Sequence, residues 1–562
     1  MDSRTLLALV LSIAVLVVFQ YFFGGDVSQP PREETSFETS PAPGEREQVP
    51  DHEYGKGIHA DGILQTSSLN AIRTSDTPVD EKALLRKAKD VTVETDLYRL
   101  VFSEKGGVVK KYLLKQYPTT LSDDAPPVDL INVSPPYFTL GIQVESQPPL
   151  DLSSQFFVPD KENLKLTQAG EEAQLKFIYK MSNGIEITRA YTFHQGSYWI
   201  DMSVYLSGAG TIPCTLSLYN KPGTKVSTFT FTGPSYYADN ELHEIKLDDV
   251  GEKHAYTGPI DWMGYGDDYF LTALIPLVKE GPCKVLIEKK EPDGLTESRL
   301  TALNPSPETL GQGAEVLNLG IYFGPKDIDR LNDLGHNLSR AINFGWFDPI
   351  AKPLLYFLKF LYRYIHNYGL AIIVVTILIK IAFWPLAQKS AKSMKTMQKL
   401  QPKMAKLKEK HGKDKEKMNK ELMQLYKTYK VNPMGGCLPM LLQIPVFFAL
   451  YKVLLQSIEL RHAPFTLWIN DLSAPDRLMI PGVHIPYLGG IPVLTLLMGL
   501  SMFLQQKLSP SSLDPTQARI MQFLPVIFTC MFINFPSGLV LYWLINNVLS
   551  IGQQHYVNKF TD

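Results

Sequence analysis

The chain has 562 residues, with 55 Lys and Arg against 57 Asp and Glu for a formal net charge of -2; that length holds more than one domain, and that balance excludes a chain-wide basic footprint for nucleic acid. Its four cysteines (Cys214, Cys283, Cys437 and Cys530) lack Cys-x-x-Cys spacing, which argues against a zinc ribbon or a thioredoxin-like centre. The 45% hydrophobic content averages two unlike parts, sparse in apolar runs from about 26 to 344 and dense from about 369 onward.

Leu6–Phe23 is an apolar run with Arg4 before it, near the length that spans about 30 Å of hydrocarbon as a helix. It is long for a signal-peptide core, and Phe22-Phe23-Gly24-Gly25 gives no clean cleavage site, so residues 1–25 are expected to be an uncleaved transmembrane anchor. Residues 26–53, rich in Pro, Ser, Thr and Glu, cannot bury a core and are expected to be a disordered tether. From 54 to 338 the pattern is β. Leu175–Met181 and Ile185–Thr188 alternate either side of Asn183-Gly184, a hairpin signal, and Tyr198–Leu206 alternates again. Short strands punctuated by Gly and Pro predict a large antiparallel β-sandwich, with one helical segment near Lys326–Leu338.

Residues 345–368 read as an amphipathic helix in the membrane interface, with Ile350, Leu354, Leu358, Leu361 and Ile365 on its apolar face. Five further spans are expected over Gly369–Ala387, Cys437–Gln456, Tyr487–Gln506, Ile520–Phe535 and Ser537–Tyr556, making six with the anchor. The loop 388–432 carries fourteen lysines, from Lys389 to Lys430, against Glu409, Asp414, Glu416 and Glu421. The positive-inside rule places it in the cytoplasm, which puts both termini there and the β domain outside. Met394, Met397, Leu400, Met404 and Leu407, then Met418, Leu422, Leu425 and Tyr429, predict two antiparallel helices in this loop. The hairpin reads either as a solvated coiled coil or as an adaptable, basic surface for nascent chains and ribosomal phosphates.

Walker-type GxxxxGK[ST] and zincin HExxH sequences are absent. No cofactor and no enzymatic reaction are expected, and a carbohydrate epimerase built on His194, Glu186 and Asp201 is a weak rival. Lys380 is the outstanding residue of the second span. It sits roughly 16 Å deep at 1.5 Å per residue, where a lysine costs roughly 2.5–3.5 kcal/mol. It either snorkels to the cytoplasmic surface or sits in a wet cavity inside the bundle. Thr376 one turn earlier and the stripe Tyr542, Asn546, Ser550 and Gln553 favour the cavity. With no acid in the neighbouring spans placed against it, an external anion is its expected partner. A small-solute transporter is the alternative, weakened by the lack of an inverted repeat in the spans.

Asn432-Pro433-Met434-Gly435-Gly436-Cys437-Leu438-Pro439 leading into Leu442-Gln443-Ile444-Pro445-Val446-Phe447 resembles the signature of the YidC/Oxa/Alb membrane protein insertases. Leu467–Leu472 and Phe535–Leu539 resemble two more of its motifs, and the anchor with an outer β domain resembles the Gram-negative YidC branch. The resemblance implies an inner-membrane insertase and chaperone, working alone or with the Sec translocon on nascent membrane proteins, in contact with ribosome and lipid and not DNA. It implies a mixed fold, in which a polytopic α-helical bundle over 369–562 carries a periplasmic β-supersandwich over 54–338. It also implies a hydrophilic groove closed on the outside, whose positive charge, here Lys380, attracts acidic substrate tails. Substrate contacts would fall around Phe447 and Phe528, with Thr376, Gln443, Tyr542 and Asn546 also lining the groove.

Overall fold

A computed structural model describes residues 87–560, apart from 135–136, 147, 182–183, 208–211, 222–229, 247–252, 278–281, 291–293, 304–308, 311–312, 412–413, 430–437, 483–484, 486–487 and 509–514. The expected anchor, the tether, the start of the β domain and Asn432–Cys437 of the first motif lie outside these residues.

Strand Trp199–Ser207 buries Ile200, Met202, Val204 and Leu206 on alternate positions, the period-2 signature of a half-buried strand. It pairs antiparallel with Glu186–His194 on one side and Gly313–Pro325 on the other, at the centre of a ten-stranded sheet. Glu186–His194 also pairs with Glu172–Lys180, Glu186 opposite Lys180, which is the hairpin read from the alternation. Gly184, with φ +84, closes its turn by donating to the Met181 carbonyl at 3.1 Å. A six-stranded sheet (Lys253–Gly258 at one edge, Cys214–Asn220 inside) and a five-stranded sheet complete the domain. One hydrophobic cluster joins all three.

The sandwich is not wholly antiparallel. Asn163–Lys165 runs parallel to Asp90–Glu94. It is a three-residue strand added at the sheet edge, where the crossover required by parallel pairing is available from the long intervening chain. Cys214 and Cys283 are buried and free. Arg189 is fully buried and donates to the Gly106 and Leu140 carbonyls at 2.6 Å each and to the Tyr191 hydroxyl at 2.5 Å.

Helix α1 (Ile328–Leu334) is capped by the Asp327 side chain and stopped by Gly335 at φ +75, so it is shorter than the expected segment. Helix α2 (Asp348–Ile365) buries Ala351, Leu354, Leu355 and Leu358. Ile350, expected on the apolar face, is exposed along with Tyr356, Phe360 and Tyr364. The stripe is therefore set by Leu354 and Leu358, with Ile350 one step off it.

Helix α3 runs unbroken over Tyr368–His411, so the expected span and the first arm of the basic hairpin are one element. Helix α4 (Lys415–Thr428) folds back beside it. Met397 and Leu400 are buried against Met404 and Tyr426; Tyr429 is exposed and sits 4.5 Å over Lys403 instead. Helices α5 (Leu438–Gln456), α6 (Val493–Leu508), α7 (Pro515–Phe532) and α8 (Ser537–Phe560) complete the helical region.

Among the described residues, one helical stretch, Tyr368–Leu407, is long and apolar enough by itself to cross a membrane. Gln443–Gln456, Val493–Leu508 and Gln522–Phe532 are apolar but shorter, so the count of six spans is not reached on that measure. Two boundaries have evident causes. Pro492 and the Asp476 carboxylate, which accepts from the Leu494 and Thr495 amides, fix the start of α6 later than Tyr487. Pro536 separates α7 from α8, so α7 stops at Phe532.

Candidate functional site

Lys380 projects from α3 toward α8 and is partly buried. Its ammonium donates to Asn546 Oδ1 at 3.1 Å and to Ser550 Oγ at 2.7 Å. Asn546 and Ser550 are one turn apart on α8, which places both on the face turned to α3. The sequence leads us to expect no acid against this lysine; the structure gives it two internal partners, both neutral. Among the described residues no carboxylate lies within ion-pairing distance, so two hydrogen bonds are satisfied and the charge is not.

The remaining sequence candidates divide. Gln443 of α5 donates to the Tyr542 hydroxyl of α8 at 3.2 Å, a second polar contact one turn above Asn546. Thr376 is 2% exposed and its hydroxyl donates to the Ile372 carbonyl of its own helix at 2.6 Å; it presents no free polar group. Phe447 and Phe528 meet on one ring, Trp543, at 4.9 and 6.1 Å. Phe532 adds a third contact at 5.1 Å, and Phe535 and Tyr451 extend the block outward. Trp543, between two residues of the polar stripe, was invisible to a pattern search for polar groups. Outward from Lys380 the polar contacts thus give way to a block of aromatic rings, while Trp384 and Tyr556 meet at 6.0 Å on its other side.

Beyond the aromatic block, two motifs read from sequence fit together. Ser537 donates its amide to the Ala474 carbonyl and its hydroxyl to the Asp471 carbonyl, while Gly538 donates to the Leu472 carbonyl at 3.0 Å. A Cβ on Gly538 would stand 2.7 Å from Leu454 Cδ2 and 3.2 Å from the Leu472 oxygen, so glycine permits this approach. Trp468 Nε1 donates to Asp476 at 2.6 Å. The β domain meets this end through Arg461, which donates to the Pro118 carbonyl at 2.7 Å and lies over Tyr269 and Phe270. Lys359 of α2 reaches Glu459 at 2.7 Å, Asp329 at 2.8 Å and Asp327 at 3.4 Å. Neither Arg461 nor Lys359 stood out in the sequence, because each partner is distant along the chain.

A β-rich domain joined to a bundle of apolar helices with polar contacts inside is the build of an integral membrane protein. The family described as "60Kd inner membrane protein" matches residues 360–562, and "YidC periplasmic domain" matches 90–357. The membrane protein insertase YidC of Syntrophus aciditrophicus is 42% identical over 574 residues, covering 100% of both chains. That of Geobacter metallireducens is 41% identical over 569 residues, covering 100% of this chain and 98% of its own. Among solved structures, an active YidC insertase crystal structure with the first transmembrane domain resolved is similar over 85% of this chain and 94% of that one, at 19% identity and a TM-score of 0.37. The chain belongs to the YidC family of membrane protein insertases, an inner-membrane family and not one of enzymes.

Proposed function

We propose that the chain inserts nascent membrane proteins into the inner membrane through a groove between α3, α5 and α8, with Lys380 as its charge. Family membership supports insertion over small-solute transport. The observation that carries the groove reading is that, among the described residues, Lys380 bonds to the neutral Asn546 and Ser550 and to no carboxylate, which leaves its positive charge uncompensated there. Such a charge attracts an acidic client tail, while burial of the client's apolar helix supplies the driving force. Gln443 and Tyr542 extend the polar lining, and Phe447 and Phe528 offer the client an apolar surface. Thr376 serves as a packing residue of this wall.

In this reading the chain has six spans, counting the anchor at 1–25, with a tether at 26–53, the periplasmic domain over 54–338, the interfacial helix over 345–368 and the insertase core over 369–562. Both termini and the hairpin 388–432 are cytoplasmic, supported by the fourteen lysines of that loop. The hairpin meets the ribosome through those lysines, and the Sec translocon is a partner for larger clients. Protease protection of matched acidic-tailed and neutral-tailed clients tests the charge. Lys380→Glu should weaken insertion of the acidic client more than Lys380→Ala does, and the neutral client less than either. Equal insertion of both clients by Lys380→Glu and the parent refutes the electrostatic role.

A further inference from the structure

We propose that Asn546 and Ser550 are positioning residues that hold the Lys380 ammonium inside the groove and, by being neutral, leave its charge for the client; this rests on the reading of Lys380 above. A lysine has a flexible four-carbon stem and, unheld, turns its head along the helix toward water. Here the head is held by two oxygens at 3.1 and 2.7 Å. The orientation of the serine hydroxyl is fixed. Ser550 Oγ donates its own hydrogen to the Asn546 carbonyl at 2.7 Å, so only its lone pairs face the ammonium. Asn546 presents its amide oxygen, which accepts and cannot donate. Both groups therefore act as acceptors for a cation while bringing no negative charge.

The choice of neutral acceptors decides specificity. A carboxylate at 546 would sit within hydrogen-bond distance of the same ammonium and form a closed ion pair, removing the attraction for any external anion. An apolar side chain there would release the lysine to snorkel. Both changes leave Lys380 in the sequence yet take its charge away from the groove, one by pairing and the other by relocation. Client preference is thus set by α8 as much as by α3.

The test is the ratio of insertion of an acidic-tailed client to that of its neutral-tailed match, by protease protection in membranes bearing equal amounts of each full-length variant. Asn546→Asp should lower the ratio about tenfold, close to the Lys380→Ala value, since pairing at this distance outweighs what a tenfold preference requires. Ser550→Ala, a small change with little risk to folding, should lower it about two- to threefold, as expected for one lost hydrogen bond to a charged group that a second acceptor still holds. Asn546→Gln, which keeps the amide oxygen, should retain the preference, a rescue that a merely structural role does not predict. If Lys380→Ala collapses the ratio while Asn546→Asp and Ser550→Ala leave it at the parent value, the positioning role is wrong and the groove charge stands. If Lys380→Ala itself leaves the ratio unchanged, both fall.

Discussion

Replacing Lys359 with Met removes the cation that pairs with three carboxylates, Asp327, Asp329 and Glu459, at the junction of α2, the β domain and the loop after α5. Lys359 is 14% exposed and Glu459 9%, and one Glu459 oxygen already lacks a hydrogen-bond partner. Removing one member of a buried pair strands the other, at a cost of about 3–5 kcal/mol. At about 2–4 °C per kcal/mol for a domain of this size, that is a melting shift of roughly 10 °C. The pH dependence adds a signature. Burial raises the Glu459 pKa against the pull of Lys359. Burial also works against the Lys359 ammonium, but Glu459, Asp329 and Asp327 outweigh it and raise its pKa. A carboxyl raised in the folded state favours folding when protonated and loses that contribution as pH rises through its folded pKa. Lys359→Met removes the opposing charge and raises Glu459 further, so the defect should shrink as pH falls from 8 to 5. Thermal melts of purified protein in detergent at both pH values measure this, with Lys359→Met/Glu459→Gln as the matched double variant. The double variant should recover most of the loss. A Lys359→Met melt equal to the parent's, or a defect that grows at pH 5, refutes the argument.

Arg189→Ala deletes three buried hydrogen bonds and orphans the Gly106 and Leu140 carbonyls; it should cost about 4 kcal/mol or more, seen as protease sensitivity of the β domain. Single cysteines at the exposed positions Lys284 and Lys406, in a cysteine-free background, test topology: an impermeant thiol reagent should label the first in intact spheroplasts and the second only after lysis.

The period-2 hairpin at Leu175–Thr188 and the strand after Tyr198 were legible because each carries its signal within a dozen residues, in alternation and a turn glycine. The same holds for Met397 and Leu400 of the basic hairpin. Lys380 was legible as an anomaly, since an isolated cation in an apolar run is costly wherever it ends. Its partners were half legible: the stripe on α8 was seen, but its relation to Lys380 spans 166 and 170 residues, and no local pattern encodes such pairing. Thr376 misled for a related reason. A hydroxyl inside an apolar helix bonds its own i−4 carbonyl at little cost, so its presence says nothing about a cavity. Helix ends were misplaced where a tertiary group decides them, as Asp476 does for α6.

The polar contacts and the aromatic block constrain each other. If the polar contacts continued outward past Gln443 and Tyr542, the groove reading would describe a pore, and an inner membrane does not tolerate an open one. The rings of Phe447, Phe528, Phe532 and Trp543 stand where those contacts stop. Outside them, the Ser537 and Gly538 amides and the Asp476 side chain tie the loop to α8 and α6. Under the proposed role of Lys380, a polar client segment drawn to it meets a short apolar barrier rather than a full bilayer. Crossing cost scales with the apolar length a charge must traverse unsolvated, so placing the charge near the middle of the bundle lowers that cost without opening the membrane.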